Sequence, residues 1–316
     1  MERDGWLRIE VRHLAALRAV AQEGSFGGAA TRLGYTQSAV SQQIATLERA
    51  VGEKLVERPG GPRKVSMTEA GTVLLRHAEH VVAGMEAAWA DLEALVVGGA
   101  GTLRVGTYQS VGARLLPSLM GRFVEERPGV DVVLTESSSD VELLDALERG
   151  ELDLSFSVLP MPAGPFEAVE MLTDPYVLMV AADAPLAFAA RPVVLEDLLG
   201  LPMIGFRHCI SGERTDEFLR GRGVEMTVVF RSDDNGTVQG LVGAGMASAL
   251  VPLLAADRSD DRVALLPMAG EIPARRIALA WHRDRALSPA ARAFIETATT
   301  LCAELQPQVA LEPVEP

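Results

Sequence analysis

The stretch from Ser25 to Glu48, SFGGAATRLGYTQSAVSQQIATLE, decides how the rest of the chain is read. It is crowded with Ser, Thr and Gln and is close to neutral, in a chain whose formal net charge is -14. A solvated helix in so acidic a chain would ordinarily be laced with Glu and Lys. Its punctuation predicts two short helices. Ser25 caps a helix over Phe26 to Leu33, and Gly34 closes it. Thr36 caps a second helix, whose buried side is predicted to be Ala39, Val40, Ile44 and Leu47. Two helices separated by about three residues that include a glycine form a helix-turn-helix. Upstream, Leu14, Leu17, Val20 and Ala21 make an apolar stripe at helical spacing.

The second helix carries the chemistry. Gln37, Ser38, Ser41 and Gln42 fall within its first two turns, where a recognition helix approaches base edges in the major groove. Gln can contact adenine through two hydrogen bonds, and Ser can serve either base type. Backbone N–H groups near Gln37 and Ser38 suit a phosphate. The bland alternative is a merely solvated polar face.

Downstream, VERPGGPRKVSMTEAG (56–71) breaks the helical pattern, because PGGP cannot sit in a helix interior. Lys64 to Met67 reads as a short strand, so the segment resembles the β-wing of a winged helix. Arg58, Arg63 and Lys64 bracket the turn and suit phosphate contacts better than base reading. Arg32 and Arg49 are weaker candidates. Thr68 caps a long helix from Glu69 to about Val97. Along it Leu74, Ala78, Val81, Met85, Ala88, Leu92 and Leu95 recur in alternating steps of four and three, a heptad pattern. Such a stripe needs a partner, and dimerisation along it is expected; burial against its own domain is the alternative. GGAG at 98–101 reads as a hinge.

Beyond the hinge, strands alternate with helices. Strands at 103–107, 131–136 and 152–158 are separated by helices over 113–126 and 141–147. A linker rich in Pro and Gly precedes more strands, including 176–181, and a second set follows through 202–206, 226–231 and 247–250, with helices at 213–219 and 236–242. A strand at 275–281 and a helix at 289–305 close the fold. Two such sets predict two α/β lobes with parallel strands and a crevice between them. The ends of strands 103–107, 131–136 and 202–206 should face its mouth.

Composition sets the outer bounds. The 316 residues, 48% apolar and 23% charged, suit a globular protein of about two domains. Residues 1–71 hold ten Lys/Arg against eight Asp/Glu, a net of +2, and residues 72–316 hold nineteen against thirty-five, a net of -16. Overall acidity is therefore a poor argument against a DNA-binding head. No run of about 18 uncharged apolar residues predicts a membrane span. The start MERDGWLRIEVRHL lacks the pattern of a secretion signal, so a cytoplasmic location is expected. Cys209 and Cys302 form no CxxC pair and read as free thiols. Five scattered His offer no ligand spacing, and no metal or other cofactor is expected. There is no GxSxG, HExxH or GxxxxGK[ST], so no enzyme activity is expected.

LAALRAVAQEGSFGGAATRLGYTQSAVSQQIATLERAVGEKLVERPGGPRKVSMTEAG, within residues 12–71, resembles the DNA-binding domain of the LysR-type transcriptional regulators. The matching pattern is Ser25-Phe26, Ala29-Ala30, Gln37-Ser38 with Ser41, Leu47-Glu48, Gly52 with Leu55, and Met67-Thr68 with Gly71. The sequence departs from it at Val56, where the family has Phe, at Glu57, and in the Gly-Pro character of the wing. LLPSLMGRFVEERPGVDVVLTE, ELLDALERGELDLSF and DDNGTVQGLVGAGMASALVP resemble the family's effector domain, so the likeness covers all but about the last dozen residues.

The resemblance implies an α/β chain with an all-α, winged helix-turn-helix head at 1–70 and a linker and dimerisation helix at 71–98. A two-lobed effector domain resembling periplasmic binding proteins would span 99–305, with a disordered tail at 306–316. It further implies a homodimer, pairing into a homotetramer, on double-stranded DNA with an inverted repeat, and RNA polymerase as a further partner. The crevice would take a small polar or anionic metabolite. Carried over, the effector residues are Thr107, Ser110, Ser137, Ser138, Ser139, Phe206, Arg207 and His208. Ser137 to Ser139 could instead cap the following helix, as could Asp233 and Asp234. The competing reading of the whole chain is a ligand-sensing or solute-binding protein with a degenerate DNA-binding domain.

Overall fold

The computed structural model describes Trp6 and residues 9–57, 64–96, 101–189, 191–207, 210–270 and 272–309. The chain divides into two compact units, the first of residues 1–92 with 149–151 and the second of residues 93–148 and 152–316.

The first unit holds α1 (Val11–Glu23), α2 (Phe26–Leu33), α3 (Gln37–Val51), a two-stranded antiparallel ribbon of β1 (Val56–Glu57) and β2 (Ser66–Met67), and α4 (Glu69–Val96). Its helices begin where the sequence supplies side-chain acceptors. Ser25 Oγ accepts from the Gly28 N–H at 3.0 Å, and Thr36 Oγ1 from the Ala39 N–H at 3.2 Å. Gly34 closes α2 at φ +70°, a left-handed conformation that side chains disfavour. Val20, Ala29, Val40, Ile44, Leu47 and Leu55 are buried together in one core. Ala39, predicted buried, is only half-buried.

Two further contacts fix the strand that follows α3. The buried Glu48 carboxylate accepts from the Leu55 N–H at 3.0 Å and from Lys54 Nζ at 2.9 Å. Burial alone would raise its pKa, but these partners hold it below the usual carboxylate range. Gly71 explains the close approach of α4, since a Cβ there would lie 2.0 Å from the Leu55 carbonyl oxygen. Thr68 caps α4 as predicted, its Oγ1 accepting from the Gly71 N–H at 3.0 Å.

The heptad reading of α4 needs correction. Leu74 and Ala78 are buried in the head's own core, together with Val82, so they are not available to a partner. Farther along the helix the stripe emerges: Val81 and Ala88 are exposed, and Met85, Trp89 and Leu92 are 55%, 65% and 62% exposed. Leu95 is in the helix, but its side chain lies outside the described residues.

The second unit contains two lobes, each built on a five-stranded mixed sheet. In lobe I the strand order is β4 (Val130–Glu136), β3 (Gly101–Thr107), β5 (Leu154–Leu159), β12 (Arg275–His282), β6 (Phe166–Asp174). β3 runs parallel to β4 and β5, and β12 antiparallel to β5 and β6. In lobe II it is β11 (Val263–Pro267), β7 (Tyr176–Ala181), β10 (Ser248–Pro252), β8 (Pro202–Gly205), β9 (Thr227–Arg231). β8 is parallel to both neighbours, while β7 is antiparallel to β10 and β11. The parallel pairing expected of the strand–helix–strand units holds for β3, β4 and β5, while β12 and β7 add antiparallel pairs, because the chain passes directly from β6 to β7 and returns in β12.

Helices α5 (Gln109–Arg114), α6 (Leu116–Glu126) and α7 (Asp140–Arg149) belong to lobe I, and α8 (Ile210–Gly221) and α9 (Asn235–Gly243) to lobe II. The single helix predicted over 113–126 is two, with Leu115 between them and Pro117 in the first turn of the second. The closing helix, α10 (Pro289–Val309), packs Phe294 edge-to-face on Phe123 at 5.1 Å. It runs past the predicted end at Leu305. Gln306 donates to the Thr173 carbonyl and accepts from its N–H, so residues 306–309 are not a disordered tail. No helix among the described residues is long and apolar enough to cross a membrane.

Candidate functional site

Two places concentrate polar chemistry, one in each unit. In the first unit, the cap at Thr36 presents the N-terminal end of α3 to solvent. Gln37, Ser38 and Gln42 are exposed, and Ser41 is half-buried. Ser38 Oγ lies 3.0 Å from Thr36 Oγ1, which orients that hydroxyl beside the helix start. Val40, Ile44 and Leu47, fully buried on the opposite side, anchor the helix. The exposed Tyr35, in the turn just before the cap, adds an aromatic ring that the sequence reading did not single out.

The basic candidates differ in their surroundings. Arg32 Nη1 contacts Glu23 Oε1 at 3.2 Å, both side chains well exposed, a pairing too solvated to hold the guanidinium in place. Arg49 is spent locally, donating to the Ala45 carbonyl and the Thr46 hydroxyl of its own helix. Lys64 is exposed at the entry to β2, where the Val65 N–H donates to the Gly24 carbonyl at 2.8 Å. Arg58 and Arg63 lie outside the described residues.

In the second unit, a cavity of about 390 Å³ opens between the lobes. Lobe I supplies Tyr108, Gln109 and Ser110 after β3, with Glu136, Ser137 and Ser138 after β4. Lobe II supplies Phe206 after β8, Ser211, Thr215 and Asp216 from α8, and Asp233 and Asp234 ahead of α9. Ile204, Met226 and Leu250 give it an apolar wall. This is the mouth where the strand ends were expected to gather.

The strongest polar feature is Arg275, the buried first residue of β12. Its guanidinium donates to Asp174 Oδ2 through Nε at 3.1 Å and Nη2 at 2.6 Å, and to Ser110 Oγ at 2.9 Å. It also lies over the Tyr108 ring, 5.3 Å from the centroid. Burial alone would loosen its proton, but Asp174 keeps it cationic, above the ordinary arginine range. Gln109 joins the lobes: its Nε2 donates to Asp234 Oδ2 at 2.8 Å, and its Oε1 accepts from the Asn235 N–H at 2.7 Å. The bond from Gln109, with Asp234's cap on the Thr237 N–H, holds the Asp234 carboxyl below its usual range.

Of the predicted effector residues, Ser110, Ser137, Ser138 and Phe206 line the cavity. Three do not. Thr107 is buried, its hydroxyl 3.4 Å from the Tyr108 carbonyl. Ser139 is a helix cap, accepting from the Glu142 N–H at 3.3 Å. Arg207 turns its guanidinium to the Arg231 carbonyl, 3.1 Å away, while its N–H donates to Asp233 Oδ1 at 2.7 Å. His208 lies outside the described residues. Sequence reasoning missed Arg275, Gln109, Ser211 and Asp216. Arg275 stands in a plain strand motif, RRIALAW, and only the return of that strand to lobe I brings it beside Ser110.

Comparison with known proteins bears on both places. A family described as "Bacterial regulatory helix-turn-helix protein, lysR family" matches residues 11–72, and one described as "LysR substrate binding domain" matches residues 98–303. A "Probable hydrogen peroxide-inducible genes activator" of Mycobacterium avium is 32% identical over 85% of this chain and 86% of its own length. A cysteine-to-aspartate variant of full-length OxyR from Pseudomonas aeruginosa shares the fold with a TM-score of 0.71 at 22% identity, over 93% of this chain and 95% of that one. Full-length CbnR, solved in complex with its target DNA, shares it with a TM-score of 0.64 at 24% identity, over 92% and 99%.

Proposed function

The chain belongs to the LysR family of DNA-binding transcriptional regulators, and from that premise we propose which of its residues do the work. Gln37, Ser38, Ser41 and Gln42 read base edges in the major groove, with Lys64 and Arg32 on flanking phosphates. The observation that carries this reading is the uncharged, exposed start of α3, held by the Thr36 cap against a fully buried apolar side. An acidic body does not oppose it, because the head is weakly basic and touches DNA through local groups. The exposed apolar run on α4, Val81, Met85, Trp89 and Leu92, is the surface through which a second copy pairs. A homodimer of this kind matches a DNA site with dyad symmetry, and pairing of dimers gives the tetramer. The interlobe cavity takes a small effector that must bind one arrangement of the protein more tightly than the other.

Sequencing the genomic DNA retained by the purified protein tests this reading. The expected result is a small set of sites with inverted repeats, retained by the wild type and lost on replacing Gln37 and Ser41 with Ala. Retention without sequence preference would remove the base-reading role.

A second reading rests on the relative whose printed name makes it a hydrogen peroxide-inducible activator. Cys302 is buried, and burial raises its thiol to about 11, which keeps it inert. Cys209 lies outside the described residues, but in the sequence it directly precedes α8, whose Ser211 and Gly212 line the cavity. In this reading a hydroperoxide is the signal. The Cys209 thiolate attacks one oxygen of the hydroperoxide ROOH, the O–O bond breaks, sulfur is oxidised to the sulfenate, and the other oxygen leaves with its substituent as ROH, which is water when the oxidant is hydrogen peroxide. Peroxide treatment followed by mass spectrometry should place the added oxygen on Cys209 and not on Cys302; an unmodified Cys209 would reject it.

A further inference from the structure

Resting on the cavity being the effector site, we propose that its ligand carries a cationic nitrogen, a protonated amine or a guanidinium, and is not a simple anion. Among the described lining residues Glu136, Asp216, Asp233 and Asp234 are acidic, and Arg275 is the single base. The Arg275 charge is already met by Asp174 at 2.6 Å, behind the cavity wall. An anionic ligand would therefore face four carboxylates with no unmatched positive charge to hold it. A cation faces the reverse.

Asp216 is where the nitrogen binds. Its carboxylate is partly buried on α8, and the cation it meets, Arg231 Nη2, stands 3.7 Å away. That guanidinium is engaged elsewhere, since Arg231 Nη1 donates to the Phe206 carbonyl at 2.7 Å. Burial pushes the pKa of this carboxylate up against the opposing charges of Arg231 and Arg220, so its one long contact to Arg231 leaves it room for a better-placed donor. A ligand ammonium would supply that donor in charge-assisted geometry.

A second feature of the cavity asks for a ligand independently of its acids. Ser211 is only 4% exposed and is among the residues around the cavity, and its buried Oγ has no hydrogen-bond partner among the described residues. Buried hydroxyls are nearly always partnered, so this one is left for an occupant. Ser211 and Thr215 are one turn apart on α8, and Asp216 follows directly, so one helix face presents a hydroxyl and a carboxylate to the same guest. The apolar wall of Ile204, Met226 and Leu250 leaves room for a short hydrocarbon body.

The test uses the full-length protein and thermal unfolding at constant ionic strength, with putrescine and L-arginine as cationic probes and succinate and benzoate as anionic ones. At least one cationic probe is expected to raise the unfolding midpoint, and neither anion to do so. Asp216→Asn should weaken the response roughly tenfold or more in probe concentration. Glu136→Gln, on the other lobe, should weaken it less, and its own unprobed transition, like that of Asp216→Asn, reports that the fold persists. Stabilisation by an anion alone, no response to either cation, or a cation response unchanged in Asp216→Asn overturns the proposal. Mobility shifts of operator DNA in the same samples separate it from the regulatory reading. A cation response that leaves DNA binding untouched removes the effector role but not the ligand class, whereas an altered shift with succinate alone removes only the ligand class.

Discussion

The start of α3 and the interlobe cavity are built in opposite ways. On α3, four short, uncharged side chains from six consecutive positions share one exposed helix start. In the cavity, residues as far apart as Tyr108 and Arg275 converge, and five charged side chains stand among polar and apolar ones. In the proposed function the first surface meets a polyanion whose backbone already attracts the head, so its bases are best read by groups that add direction without repulsion. The second, as the proposed effector site, has to tell one small molecule from many, and carboxylates beside an apolar wall do so through the cost of mismatched partners. Local recognition tolerates motion of the surrounding chain, whereas the cavity depends on the lobes keeping their places through contacts such as the Gln109 clasp.

Substitutions that strike one region should spare the other, and their sizes should differ. Arg275→Ala leaves Asp174 buried without its cation, and should cost about 3–5 kcal/mol in chemical denaturation of the second unit. If it costs under about 1 kcal/mol, the pair does not organise the cavity. Thr36→Ala removes the α3 cap and should destabilise the head by about 1 kcal/mol, with a matching loss of operator affinity but not of the cavity's response to ligand. Smaller still is the effect of acid on Glu48. Its carboxyl is lowered in the folded head, so the stability it adds is complete above the unfolded pKa of about 4.3 and is lost as pH falls through the folded value. Glu48→Gln should therefore flatten the acid limb of the head's stability profile. An unaltered limb would place that sensitivity elsewhere.

The legibility of the two regions follows from the same contrast. Caps, closing glycines and apolar spacing are local, so α2 and α3 begin where Ser25 and Thr36 predict, and Gly71 marks a contact that a motif alone could suggest. The heptad on α4 misled at its N-terminal end, because periodicity says which face is apolar and not what covers it; the head claims Leu74 and Ala78. The cavity was half legible. Strand ends located its mouth, and Ser110, Ser137, Ser138 and Phe206 sit there. Arg207 is carried over as an effector residue, yet its guanidinium donates to the Arg231 carbonyl. Arg275 and Asp216 carried no local signal, since their partners come from strands and helices remote in sequence.

The central claim is that the start of α3 reads sequence and does not merely attract DNA. The most direct measurement is the affinity of wild type and Gln37→Ala for operator and for random duplex at one salt concentration. Loss of a base contact predicts about 1–3 kcal/mol weaker operator binding with random binding nearly unchanged. Equal losses on both duplexes would contradict it, and would leave Gln37 as one more polar group on a solvated helix.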